Sequence, residues 1–187
     1  DCSVGKMYTA LCMEKEMRAR GMKASFRATG QTGILITGGG VPLDAVIADF
    51  MAGSIEYLTP DNEPDHWDLI EGQGSLFHVS YSGVTLALIH GGQPDALVIC
   101  DEPTRAHMRG LPGYRLPSLE AVRDAGLAMA RGANPACVAV GVSINTQHMA
   151  DAEARAHLAA VEDRMGLPAT DPFRYGAGKL VDALAAV

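Results

Sequence analysis

Short apolar runs recur along this chain, each one ends in a polar turn, and helix-forming stretches connect them. Strand-like runs are read at 22–30 (MKASFRATG), at Trp67 to Ile70, within 94–105 (PDALVICDEPTR) and at 136–146 (ACVAVGVSINT). The helices are expected from Lys6 to Arg20, from near Pro42 with Asp44 in the first turn, over 82–92, from a capping-box pattern at Ser118 to Gly132, and over 151–166. The segment 167–187 supplies a last extended stretch and a terminal helix. Strands that alternate with helices close into a parallel sheet covered on both faces. The expected fold is therefore α/β, a three-layer domain with a mostly parallel sheet.

Ligands of such folds bind at the carboxyl ends of the strands. The polar turns DCSVGK, ATGQTG, EGQGS, DEPTR and SINTQH all fall at those ends. In the first, Gly5 and Lys6 precede a helix, the second half of a phosphate-cradling loop in which backbone N–H groups and a lysine meet an anion. Met7 stands where such loops carry the Ser or Thr that holds magnesium. The loop thus keeps its means of gripping phosphate and lacks the usual metal-binding hydroxyl.

Glu71, directly after a buried strand and beside Gly72 and Gly74, suits a base, a metal ligand or a cap on nearby N–H groups. Asn145 and Thr146 suit either a nucleobase edge or a helix cap. Arg27, Arg105 and Arg109 lie at or after strand ends, where a guanidinium grips carboxylates or simply faces water. His78 is polar among apolar neighbours, an acid–base candidate or a structural histidine, whereas His148 and His157 read as helix-face residues.

The net charge of −7 over 187 residues argues against a general nucleic-acid binder. Four scattered cysteines without a CxxC pair suit neither a disulfide framework nor a zinc site, and favour a reducing cytoplasm. No apolar stretch is long enough to span a bilayer.

These residues carry a resemblance. DCSVGKMYTAL, the block 27–56, the block 69–105 and GVSINT together resemble the carboxyl-terminal P-loop domain of the D-glutamate N-acetyltransferase-like family, long known only as a domain of unknown function. More distantly, DCSVGK and EGQGS are similar to turns of dethiobiotin synthetase. The resemblance implies that residues 1–187 form the second domain of a longer chain whose Rossmann-like amino-terminal domain precedes it. It also implies transfer of an acetyl group from acetyl-CoA to the amino group of D-glutamate or a related D-amino acid, a step of D-amino-acid catabolism. On that reading Ser3, Val4, Gly5 and Lys6, with Asn145 and Thr146, hold the nucleotide end of the cofactor. Glu71, Ser3 and His78 serve the chemistry. Arg27, Gln73, Ser75 and Arg105 meet the substrate. No tightly bound metal is expected. The alternatives are a Mg-ATP-dependent ligase or carboxylase of the dethiobiotin-synthetase type and a non-enzymatic nucleotide sensor. Homo-oligomers are compatible with all three.

Overall fold

The computed structural model describes residues 1–184 and 187. Helix α1 (Lys6–Ala19) leads to strand β1 (Lys23–Arg27), then α2 (Gln31–Thr37), two single 3-10 turns at Leu43–Ala45 and Ala48–Phe50, and α3 (Met51–Leu58). There follow β2 (His66–Ile70), α4 (Ser82–Gly92), β3 (Ala96–Asp101), a short hairpin of β4 (His107–Met108) and β5 (Leu111–Arg115), and α5 (Leu119–Ala130). The chain ends with β6 (Val138–Ile144), α6 (Asp151–Met165), β7 (Ala169–Thr170), α7 (Pro172–Tyr175) and α8 (Gly178–Leu184).

Two parallel blocks make the central layer. β1 pairs with β2, and β3, β6 and β7 pair in that order. The antiparallel β4–β5 hairpin stands apart. Helices α1 and α8 cover one face, where Met13, Met17, Leu180, Val181 and Leu184 bury against Ala24 and Val140. The opposite face takes Leu119 of α5 and Leu158, Val161 and Met165 of α6 against Ile99, Val142 and Ile144. Strand β6 serves both faces because its register against β3 slips between Leu97 and Val98, so Val140 is left without a partner. That extra residue reverses the alternation. Val138 and Val140 therefore point to the α1 side, while Val142 and Ile144 point to the α6 side.

Four details correct the sequence reading. The helix expected from Pro42 begins at Met51, and Pro42 only precedes a 3-10 turn. The glycine-rich stretch before it contains α2, whose amino end is held by a carboxylate far along the chain. Ser118 caps α5 by accepting a bond from Ala121 N–H at 3.2 Å, but Ala121 has no acid to return it, so the cap is one-sided. The hairpin at 107–115 lies where no strand was expected. The terminal helix is described as far as Leu184, and Ala185 and Ala186 lie outside the described residues.

Candidate active site at the strand ends

Residues 1–5 form the loop ahead of α1. Ser3 (φ 52°) and Gly5 (φ 105°) both take left-handed backbone conformations, which turn the chain sharply into the helix. The first helical bond runs from Thr9 N–H to the Gly5 carbonyl at 2.9 Å, and no side chain caps α1. No acidic residue sits in its first turn either. Among the described residues the N–H groups of Lys6, Met7 and Tyr8 have no acceptor. Unsatisfied N–H groups at a helix start, with the positive end of the helix dipole behind them, form an anion site.

The carbonyls of Asp1, Cys2 and Ser3 in the same loop are held by side chains. Arg105 sends Nη1 to Asp1 Oδ2 (2.9 Å) and to the Cys2 carbonyl (2.5 Å), and Nη2 to the Ser3 carbonyl (2.6 Å). Its Nε bonds Glu102 Oε2 at 3.0 Å. Glu102 is buried, and its other oxygen accepts from Thr104 N–H and Oγ1. The Arg109 N–H adds a 3.1 Å bond to Asp1 Oδ2. Arg105, expected to meet substrate, therefore has its guanidinium committed to the loop: it is a positioning residue here.

Lys6 bends back to donate to the Asp1 carbonyl at 2.6 Å. Burial holds its pKa below the ordinary lysine range, and the Arg105 charge adds to that, while Cys100, Cys2 and Glu71 nearby act the other way. Its stem crosses Gly72, where an added Cβ would stand 2.9 Å from Lys6 Cδ and push the lysine stem aside. Met7 packs with Ala10 and Phe26. The Thr9 hydroxyl bonds the Gly5 carbonyl (3.0 Å) and Ser143 Oγ (2.7 Å), away from the hollow.

Glu71 is buried, and Oε2 accepts the N–H groups of Thr29 (2.9 Å) and Gly30 (3.0 Å) at the start of α2. A Cβ on Gly33 would collide with that oxygen, which explains the glycine there. Oε1 has no protein donor among the described residues. Gln73 Nε2 bonds Thr29 Oγ1 at 3.1 Å and locks the β1 and β2 turns together. Ser75 accepts from Phe77 N–H at 3.2 Å within its own turn.

His78 is also buried. Its Nε2 lies 3.1 Å from the Arg109 carbonyl, an acceptor, so Nε2 carries the proton and Nδ1 accepts from Ser80 N–H at 3.3 Å. Asp1, Cys2 and His78 each bring a potential metal-ligand atom to within 4.8 Å of the others. Both histidine nitrogens and one Asp1 oxygen are already bonded within the protein, which makes a poor donor set. Arg27 lies to one side, joined to Asp68 at 2.7 Å across β1 and β2.

On the far side of the loop a cavity of ≈ 290 Å³ is lined by Val4, Gly5, Tyr8, Asn145, Phe173 and Arg174, among others. Tyr8 and Phe173 face each other with ring centroids 5.7 Å apart. Asn145 Oδ1 accepts from Gln147 N–H at 3.1 Å, and its amide NH₂ has no protein acceptor among the described residues. Thr146 is fully buried and gives both N–H (2.9 Å) and Oγ1 (2.5 Å) to Asp171 Oδ2. Asp171 Oδ1 caps α7 through Phe173 N–H at 2.9 Å. Thr146 thus shapes the wall without reaching the cavity. Asp1, Glu102 and Asp171 were not singled out from sequence. Only Asp171 had a visible local signal there, an acid directly before Pro172.

A D-glutamate N-acetyltransferase of Tritonibacter scottomollicae is 75% identical over 187 residues, covering 100% of this chain and 56% of the relative. One of a Pseudoalteromonas species is 49% identical over 181 residues, 97% of this chain and 54% of that protein. The chain thus spans little more than half the length of these curated relatives. A crystal structure of a DUF1611 family protein from Anabaena variabilis superposes with a TM-score of 0.93 at 37% identity, over 100% of this chain and 55% of the other. No helix among the described residues is long and apolar enough to cross a membrane. The family described as "Domain of unknown function (DUF1611_C) P-loop domain" matches residues 1–181, so the chain belongs to the DUF1611 P-loop domain family.

Proposed function

We propose that this domain, as the carboxyl-terminal part of a longer chain, binds the nucleotide end of acetyl-CoA and serves transfer of the acetyl group to the amino group of D-glutamate or a related D-amino acid. The observation that carries this reading is the uncapped start of α1, where three N–H groups have no acceptor among the described residues, beside the Asn145 cavity that Val4, Gly5 and Tyr8 help to line. The phosphates of the cofactor meet those N–H groups, and its adenine lies against the Asn145 amide and the Tyr8–Phe173 pair. The names of the relatives support the activity and its D-glutamate substrate.

Three chemical tasks remain, and residues of this chain suit two. The attacking nitrogen has to lose a proton, and Glu71 Oε1, held in place by the two bonds to Oε2, is the candidate base. The thioester oxygen gathers negative charge, and the exposed Ser3 hydroxyl with nearby loop N–H groups suits its stabilisation. The substrate carboxylates need cations. Arg27 and Arg105 are engaged elsewhere, so the amino-terminal domain is assigned that task.

The ligase reading is less well supported. It needs a hydroxyl after Lys6 to hold magnesium, whereas Met7 packs into the core and Thr9 turns to Ser143. Incubating the full-length protein with D-glutamate and either acetyl-CoA or Mg-ATP separates the two. Free thiol released only when the amino acid is present is the expected result. Release of ADP with no thiol overturns it.

A further inference from the structure

The ≈ 290 Å³ cavity beside the first loop has two charged residues in its walls among those described, Asp171 and Arg174. Asp171 has little left to offer a ligand. Its Oδ2 takes the N–H and the hydroxyl of Thr146, and its Oδ1 takes the N–H groups of Phe173 (2.9 Å) and Arg174 (3.4 Å). That carboxylate is spent on the wall.

Arg174 differs. Its side chain is half-buried, and Nη2 donates to the Met149 carbonyl at 2.8 Å, which holds the guanidinium in place. Among the described residues its other donors have no acceptor in hydrogen-bonding geometry, and it forms no ion pair. The Tyr175 hydroxyl and Asp151 stand close by, but they are bonded to each other at 2.7 Å, and Arg155 takes the second Asp151 oxygen at 2.9 Å. A fixed guanidinium with spare donors at a cavity wall suits phosphate, because its parallel N–H groups match two of the oxygens.

The cofactor locates that phosphate. Phe173, next to Arg174 on α7, belongs to the aromatic pair beside which adenine is placed, and the start of α1 takes the pyrophosphate. The ribose joins the two. Backbone N–H groups that grip a pyrophosphate cannot separate ATP, ADP and coenzyme A, which all carry one. Discrimination needs a group where they differ, and coenzyme A alone among them bears a phosphate on the ribose 3′ oxygen. We infer that Arg174 meets this 3′-phosphate, and that the cavity thereby selects coenzyme A over nucleotides lacking it. The inference rests on the cofactor reading above and adds to it the residue that sets specificity.

Calorimetric titration of the full-length protein with CoA and with 3′-dephospho-CoA tests both. The unaltered protein is expected to bind CoA at least about tenfold more tightly, the worth of one charge-assisted contact. Arg174→Gln removes the charge yet keeps a donor for the Met149 carbonyl. It is expected to bind both ligands as the unaltered protein binds 3′-dephospho-CoA. Equal affinities in the unaltered protein overturn the inference and leave the cofactor reading standing. A preference for CoA that survives in Arg174→Gln also overturns it, by placing the phosphate elsewhere. So does weaker binding of 3′-dephospho-CoA by the variant, which would give Arg174 a role in the shape of the cavity alone. If the unaltered protein binds neither ligand, the cofactor reading falls and takes the inference with it.

Discussion

The two sides of the first loop differ in one respect that matters. Its carbonyl side is held by side chains: Lys6 takes the Asp1 carbonyl, and Arg105, itself bonded to Glu102, takes the carbonyls of Cys2 and Ser3 and the Asp1 carboxylate. Its N–H side, at Lys6, Met7 and Tyr8, has no partner from the protein among the described residues. The contrast teaches how such a hollow is kept open. Fixing the carbonyls sets the direction of every following N–H, so the donors converge before any anion arrives.

Releasing the held side is expected to have the largest effect. Arg105→Ala strips three partners from the loop and leaves Glu102, which is 3% exposed, as a buried unpaired charge. Denaturant unfolding of the full-length protein should show a loss of about 3–5 kcal/mol, together with loss of CoA binding. Arg105→Lys should not restore it, because one ammonium cannot span the same carbonyls. A variant that keeps full stability and affinity breaks the comparison.

Asp171→Ala probes the cavity wall behind the open side. It leaves the buried N–H and hydroxyl of Thr146 without an acceptor and uncaps α7. The expected cost is about 2–3 kcal/mol by thermal or chemical unfolding. Gly72→Ala is milder, because the clash falls on the flexible stem of Lys6. Stability should fall by under about 1 kcal/mol, while CoA affinity drops because the ammonium is displaced.

The smallest effect is protonic. Burial depresses the pKa of Lys6, and a phosphate bound beside it would favour the charged form and raise it again. Binding therefore takes up protons between the two values, and affinity falls as pH rises through the lower one. Calorimetric titrations in buffers of different ionisation enthalpy read this uptake directly. Its absence at every alkaline pH would mean that the lysine meets no anion.

Much of this was legible in the sequence, and what was not has a common cause. Strands β1, β2, β3 and β6 and helices α1, α4 and α6 follow from local apolar periodicity, and Gly5-Lys6 marks the loop. Helix α2 was missed because the bonds that start it come from Glu71, 42 residues downstream of Thr29. Arg105 is plainly basic in the sequence, but only the fold reveals that Asp1 and Cys2, more than 100 residues away, use up its donors. Residues that act through distant partners leave no local pattern, whereas residues that act through their own turn do.

Affinity for CoA is the most direct test of the open hollow. The full-length protein should be titrated with CoA in EDTA, alongside Lys6→Ala. The expected result is binding without magnesium that weakens by at least about tenfold in the variant, the loss of one charge-assisted contact. Equal affinity of the two proteins, or binding that appears only with magnesium, would contradict the account.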